Sequence, residues 1–162
     1  MSNDERLIWF KGNIVSIDRA KINVLSPTSQ FGANVFEGLR AYWSISEKQL
    51  YVFRLPEHID RLQRSMKMLE FDVVFTNAFL QQSVIDVIQA NNFQEDLVCR
   101  QTVFLDGFGS WSAIGPVEMF IAPMAKGRYY EKSQGIDVCI SSWERINEKS
   151  LSPKIKMGAN YM

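Results

Sequence analysis

At Leu55 the apolar residues of this chain change their spacing, and that change restricts the fold more than any other feature. Upstream lie short apolar runs: Leu7 to Phe10, Ile14 to Ile17, Ile22 to Leu25, Val35 to Ile45 and Leu50 to Arg54. Such runs, rich in branched and aromatic residues and bounded by turn residues, predict strands, and Lys11-Gly12-Asn13 between the first two predicts a hairpin. From Leu55 the pattern becomes Leu55, Ile59, Leu62, Met66 and Leu69, at steps of three and four behind Pro56. That is one face of an amphipathic helix with proline in its first turn. A second helix is expected from Thr76 or Asn77 to Asn91-Asn92, with Leu80, Val84, Val87 and Ile88 as its stripe. Strand-like runs return at Leu97 to Leu105, Val117 to Ile121 and Gly135 to Ser141. Strands, two helices and strands again predict an α+β fold, an antiparallel sheet with both helices packed on it.

A chain of 162 residues has the length of about one domain of ~150 and can bury roughly 70% of its unfolded surface. Eighteen basic residues balance eighteen acidic ones, so no overall field favours nucleic acid or an anionic membrane. No apolar run approaches the ~18 residues that span a bilayer, and the polar N-terminus lacks a signal-type stretch. The expected location is cytoplasmic. Cys99 and Cys139 both sit in apolar β-type runs and are expected to be buried free thiols rather than a disulfide. With His58 the sole histidine, no metal site is expected, and a Ser-His-Asp triad is not supported. The loop from Asp106 to Pro116 is glycine-rich but carries no Walker lysine and no G-x-G-x-x-G, so it is not read as a phosphate loop.

Chemistry concentrates near the C-terminal end, in Lys156-Met-Gly-Ala-Asn-Tyr161. Lysine is the side chain that condenses with an aldehyde cofactor, and small neighbours let a flat ring approach the backbone. Three further segments accompany it: Phe31-Gly-Ala-Asn-Val-Phe-Glu-Gly-Leu-Arg-Ala-Tyr42, Leu55-Pro-Glu-His-Ile-Asp-Arg-Leu62 and Cys99-Arg-Gln-Thr-Val-Phe104. In order and spacing the four resemble the N-terminal half of a class IV, pyridoxal-phosphate-dependent aminotransferase, most like the branched-chain amino-acid aminotransferases. The resemblance covers nearly the whole chain. It implies the small N-terminal domain of the D-amino-acid-aminotransferase-like fold over 1–125, a linker over 126–134 and the truncated start of a larger, cofactor-binding domain over 135–162.

The same resemblance implies the site. Lys156 would carry pyridoxal 5′-phosphate as a Schiff base and then shuttle the substrate proton, which requires a neutral amine. Arg61 would hold the cofactor phosphate, a dianion suited to a guanidinium fork. Tyr161 would bond the phenolic oxygen. Phe36, Gly38, Arg40, Arg100 and Tyr129 would line the substrate pocket, with Arg100 meeting a carboxylate of a partner such as glutamate. Read without the resemblance, these residues have plainer roles: core packing for Phe36, a bulge for Gly38, surface charges for Arg61 and Arg100. Lys154 is the internal competitor of Lys156, less favoured by its spacing to Asn160-Tyr161.

The expected partners are an amino acid and a 2-oxo acid such as 2-oxoglutarate, with a homodimer as the functional unit. Phe31 and Val98 stand where the family usually has tyrosines, and Lys126 where tryptophan is frequent. Lost polar partners change substrate preference by orders of magnitude, so the particular amino acid is not carried over. The acid that pairs with the ring nitrogen would lie beyond position 162, so this piece alone is expected to turn over negligibly. The alternatives are a D-amino-acid transaminase or aminodeoxychorismate lyase-like enzyme, and a non-catalytic remnant.

Overall fold

The computed structural model describes residues 5–126 and 135–161. Strands β1 (Leu7–Phe10) and β2 (Asn13–Ser16) form the expected hairpin. A short helix α1 (Pro27–Phe31) leads into β3 (Asn34–Ser44) and β4 (Gln49–Val52). Helices α2 (Leu55–Met68) and α3 (Asn77–Asn91) follow, then β5 (Leu97–Leu105) and β6 (Val117–Ala125). The strands pair antiparallel throughout in one six-stranded sheet of order β2-β1-β6-β5-β3-β4.

One face of this sheet carries the core. Alternation along the strands turns Val35, Leu39 and Ala41 of β3, and Leu97, Cys99 and Val103 of β5, toward the helices. Ile59 and Leu62 of α2, with Leu80, Val84 and Val87 of α3, meet them without solvent exposure. Both helices start as their sequences predict. Proline occupies the first turn of α2, and the Thr76 hydroxyl accepts from the Phe79 amide at 3.1 Å to cap α3. The opposite face presents Phe36, Gly38 and Arg40 of β3 beside Thr102, Arg100 and Val98 of β5. No helix among the described residues is long and apolar enough to cross a membrane.

Three expectations are corrected. Ile22–Leu25 is not a strand. The Asn23 side chain accepts from the Leu25 amide at 2.8 Å, making a local turn, and Ser26 caps α1 with Pro27 behind it. Ser26-Pro27 is therefore a helix start rather than a strand end, and the helix count rises by one short helix. Gly135–Ser141 also forms no strand: its backbone has no ladder partner among the described residues, and Val138 and Ile140 are exposed. Cys139 is consequently exposed, not buried, whereas Cys99 is buried as expected. The linker expected over 126–134 lies, except for Lys126, outside the described residues.

Burial pushes the Cys99 thiol from its ordinary 9.0 up to about 12. Thiolate is the reactive form, so at pH 8 a thiol reagent is expected to label Cys139 in the native protein and Cys99 only after denaturation. The raised value also sets a stability trend. Below pH 9 the thiol is protonated in both states; between about 9 and 12 the unfolded chain ionises and the folded one does not, so stability falls across that window. Rapid native labelling of both cysteines would contradict this assignment.

Candidate functional site

The site forms where the edge of β3 is left open. β4 pairs only with Ala41–Ser44, so the earlier residues of β3 on that side have no strand beside them. The segment around Lys156 takes the place: the Phe36 amide donates to the Lys156 carbonyl at 2.9 Å, and Val35 and Met157 form an antiparallel bridge. The Lys156 amide donates to Ser65 Oγ of α2 at 3.2 Å. The lysine main chain is thus held by strand and helix together.

The small residues of the motif permit this docking. A Cβ at Gly158 would come within 2.9 Å of Asn34 Oδ1, so a larger residue here would have to push the Asn34 side chain aside. Gly32, at φ 68°, ends α1 and faces Ala159. Asn160 is buried, and its amide donates to the Ile155 and Ser152 carbonyls at 2.8 and 3.0 Å, which closes the short 3-10 turn Gly158–Tyr161.

Within this frame the expected residues converge. Lys156 Nζ donates to the Tyr161 hydroxyl at 2.6 Å and lies 4.7 Å from the Phe36 ring centroid. The Phe36 and Tyr161 rings are 5.2 Å apart. The Arg100 guanidinium stacks on Phe36 at 3.4 Å, and Arg40 lies over Tyr42 at 5.5 Å. Gly38 pairs with Arg100 across the ladder, and a Cβ there would meet nothing within 4 Å. Room therefore exists at Gly38, two residues along β3 from Phe36, for a molecule close to the backbone. Tyr129 lies outside the described residues.

Arg61 reaches the same neighbourhood from α2. Its guanidinium is held charged above its ordinary range, chiefly by the hydrogen bond to Glu37, with a smaller electrostatic contribution from Tyr161. Lys154, the competing lysine, is exposed and paired with Glu148 at 2.8 Å; that carboxylate raises its pKa and keeps it an ammonium. Of the departing positions, Phe31 is half-exposed in α1, Val98 faces the Arg40 side of the sheet, and Lys126 donates its amide to the Asp96 carbonyl at 3.0 Å.

Three participants escaped sequence reasoning: Glu37, His58 as its partner, and Ser65. Glu37 was legible in principle. Alternation places it between Val35 and Leu39 on the apolar face, where an acid needs a cationic partner. His58 and Ser65 carry no such signal.

The donor set can accept one kind of group well. An amine, a phenol and a guanidinium beside open space match an aldehyde, a phenolic oxygen and a phosphate on one ring. Comparison with known proteins points the same way. A family model described as amino-transferase class IV matches residues 34–162. A branched-chain-amino-acid aminotransferase of Salmonella typhimurium is 35% identical over 161 residues, covering 96% of this chain and 51% of that protein. The crystal structure of a branched-chain aminotransferase from Thermoproteus uzoniensis with norvaline superposes with a TM-score of 0.89 at 34% identity, over 96% of this chain and 52% of that one. The branched-chain amino acid aminotransferase of Thermobaculum terrenum in its PLP-bound holo form gives a TM-score of 0.87 at 31% identity, over 99% and 53%. The chain spans about half the length of the curated relatives it matches.

Proposed function

This chain belongs to the amino-transferase class IV family, and from that membership we propose that it supplies the lysine-bearing wall of a pyridoxal 5′-phosphate-dependent aminotransferase. The reaction would move an amino group between a hydrophobic, branched-chain-like L-amino acid and 2-oxoglutarate. The observation that carries this reading is the meeting of Lys156, Tyr161, Phe36 and Arg100 on one sheet face, beside the open space at Gly38. Residues 1–125 would form the small domain, 126–134 the linker, and 135–162 part of a second, cofactor-binding unit. Exposed Phe108, Trp111 and Ile114 in the loop before β6 support a homodimer as the working unit.

Pyridoxal phosphate would supply an aldehyde and an electron-withdrawing ring. The chain's own residues bind and orient. Lys156 Nζ is the base that would take and return the substrate α-proton, and the Tyr161 hydroxyl at 2.6 Å fixes where that nitrogen points. Arg61 would anchor the phosphate. Phe36 would form the apolar wall for the substrate side chain, and Gly38 would leave room for it. Arg100, flat on that ring, and Arg40 further along the same strand face would attract carboxylates of the amino and oxo acids. Tyr129 would complete the pocket.

The test is a half-reaction panel. The complete polypeptide, loaded with pyridoxal phosphate, is mixed with L-valine, L-leucine, L-isoleucine, L-glutamate and their D-enantiomers, and conversion of the aldehyde form to the amine form is followed in the visible spectrum. Conversion by the L-amino acids, glutamate included, is expected. Conversion by D-amino acids alone would replace this reading with a D-amino-acid transaminase, and no spectral change with any of them would remove it.

A further inference from the structure

Glu37 has no surface exposure, yet it sits on the apolar, helix-facing side of β3 between Val35 and Leu39. Its two carboxylate oxygens accept from Arg61 Nε and Nη2, each at 2.6 Å, and the second is 2.8 Å from His58 Nδ1. A fork of that kind fixes the plane of the guanidinium as well as its distance. Of the five N–H groups on an arginine, the fork uses two. The remainder lie on Nη1 and on Nη2, which also comes within 3.4 Å of His58 Nδ1, and the Arg61 side chain is 44% exposed while its partner is fully covered. The carboxylate thus grips one edge of the guanidinium and leaves Nη1, at the end-on edge, for an oxyanion.

A purely structural role does not account for an acid here. A buried ion pair is generally no more stabilising than apolar residues of the same size, and Ile59 and Leu62 of the same helix already fill the core at zero exposure. Orientation does account for it. A long arginine side chain on a helix surface samples many rotamers, and freezing them on ligand binding weakens affinity. An arginine already clamped from beneath does not incur that loss. His58 braces the same carboxylate from the preceding helical turn, so the clamp has two points of attachment on α2.

We propose that Glu37, with His58 beside it, is a positioning residue that presets the Arg61 guanidinium for a phosphate monoester, and so sets how strongly the phosphate part of the cofactor is held. This rests on the assignment of Arg61 to the phosphate made above. Its test compares the dissociation constants of pyridoxal phosphate and of pyridoxal, which lacks the phosphate, for wild type, Glu37→Gln, Glu37→Asp and Arg61→Ala. The ratio of the two constants isolates the phosphate contribution, and general loosening of the fold moves both constants together. Glu37→Gln breaks the fork, and Glu37→Asp keeps the buried charge but withdraws it by one methylene, so one of them remains informative if the other folds badly. Both are expected to shrink the preference for pyridoxal phosphate roughly 10- to 100-fold, a loss on the scale of a charge-assisted hydrogen bond, with pyridoxal binding nearly unchanged. If both glutamate variants keep the wild-type ratio while Arg61→Ala loses it, Glu37 is only structural and the proposal is wrong. If Arg61→Ala also keeps the ratio, the phosphate assignment itself fails and the proposal with it.

Discussion

Lys156→Ala in the complete polypeptide, loaded with pyridoxal phosphate, is expected to lose transamination by at least roughly 10²- to 10⁴-fold, the range for removing a positioned proton-transfer group. It should also leave no borohydride-trapped cofactor on the peptide that contains Lys156. Lys156→Arg should fare no better, because a guanidinium stays protonated and cannot act as a neutral amine. The fold should survive both changes. What docks the segment is main chain: the Phe36 amide on the Lys156 carbonyl and the Lys156 amide on Ser65. Lys154→Ala provides the contrast, with activity expected within about twofold of wild type, since it removes only a surface ion pair. A trapped adduct on Lys154, or full activity in Lys156→Ala, would dismantle the proposed site.

The second large effect concerns stability. Leu62 has no exposure and joins α2 to the sheet directly beside Arg61. Leu62→Ala is expected to destabilise the protein by about 2–5 kcal/mol, through lost burial and the cavity left behind. In a thermal melt that corresponds to a fall of roughly 5–15 °C. Met68, at the exposed end of the same helix, serves as comparison: Met68→Ala should remain within about 0.5 kcal/mol of wild type. Equal losses in the two variants would mean that α2 does not pack as described. Because α2 also carries Arg61 and Ser65, Leu62→Ala should loosen both the proposed phosphate anchor and the lysine segment.

How much of this was legible beforehand depended on whether the signal was periodic. Leu55, Ile59, Leu62 and Met66 face the core because a helix repeats every 3.6 residues, and the alternation in β3 and β5 is equally direct. Helix α1 was missed because Ile22 to Leu25 has strand-like composition, while the turn there depends on one Asn23 side chain. At Gly135–Ser141 composition again matched a strand, but a strand exists only with a partner, which no local pattern supplies. The approach of Lys156 to Phe36 bridges residues 120 positions apart, and only resemblance to known sequences suggested it. Glu37 shows the reverse case, where a charge in an apolar position announced a partner without saying which one.

Sheet architecture and the proposed reacting amine share the same main-chain contact at Phe36, so one backbone proton reports on both. Slow isotope exchange at that amide would mean that the lysine proposed as nucleophile is parked in its working place. Fast exchange would mean that the terminal segment has peeled away and carried the nitrogen with it.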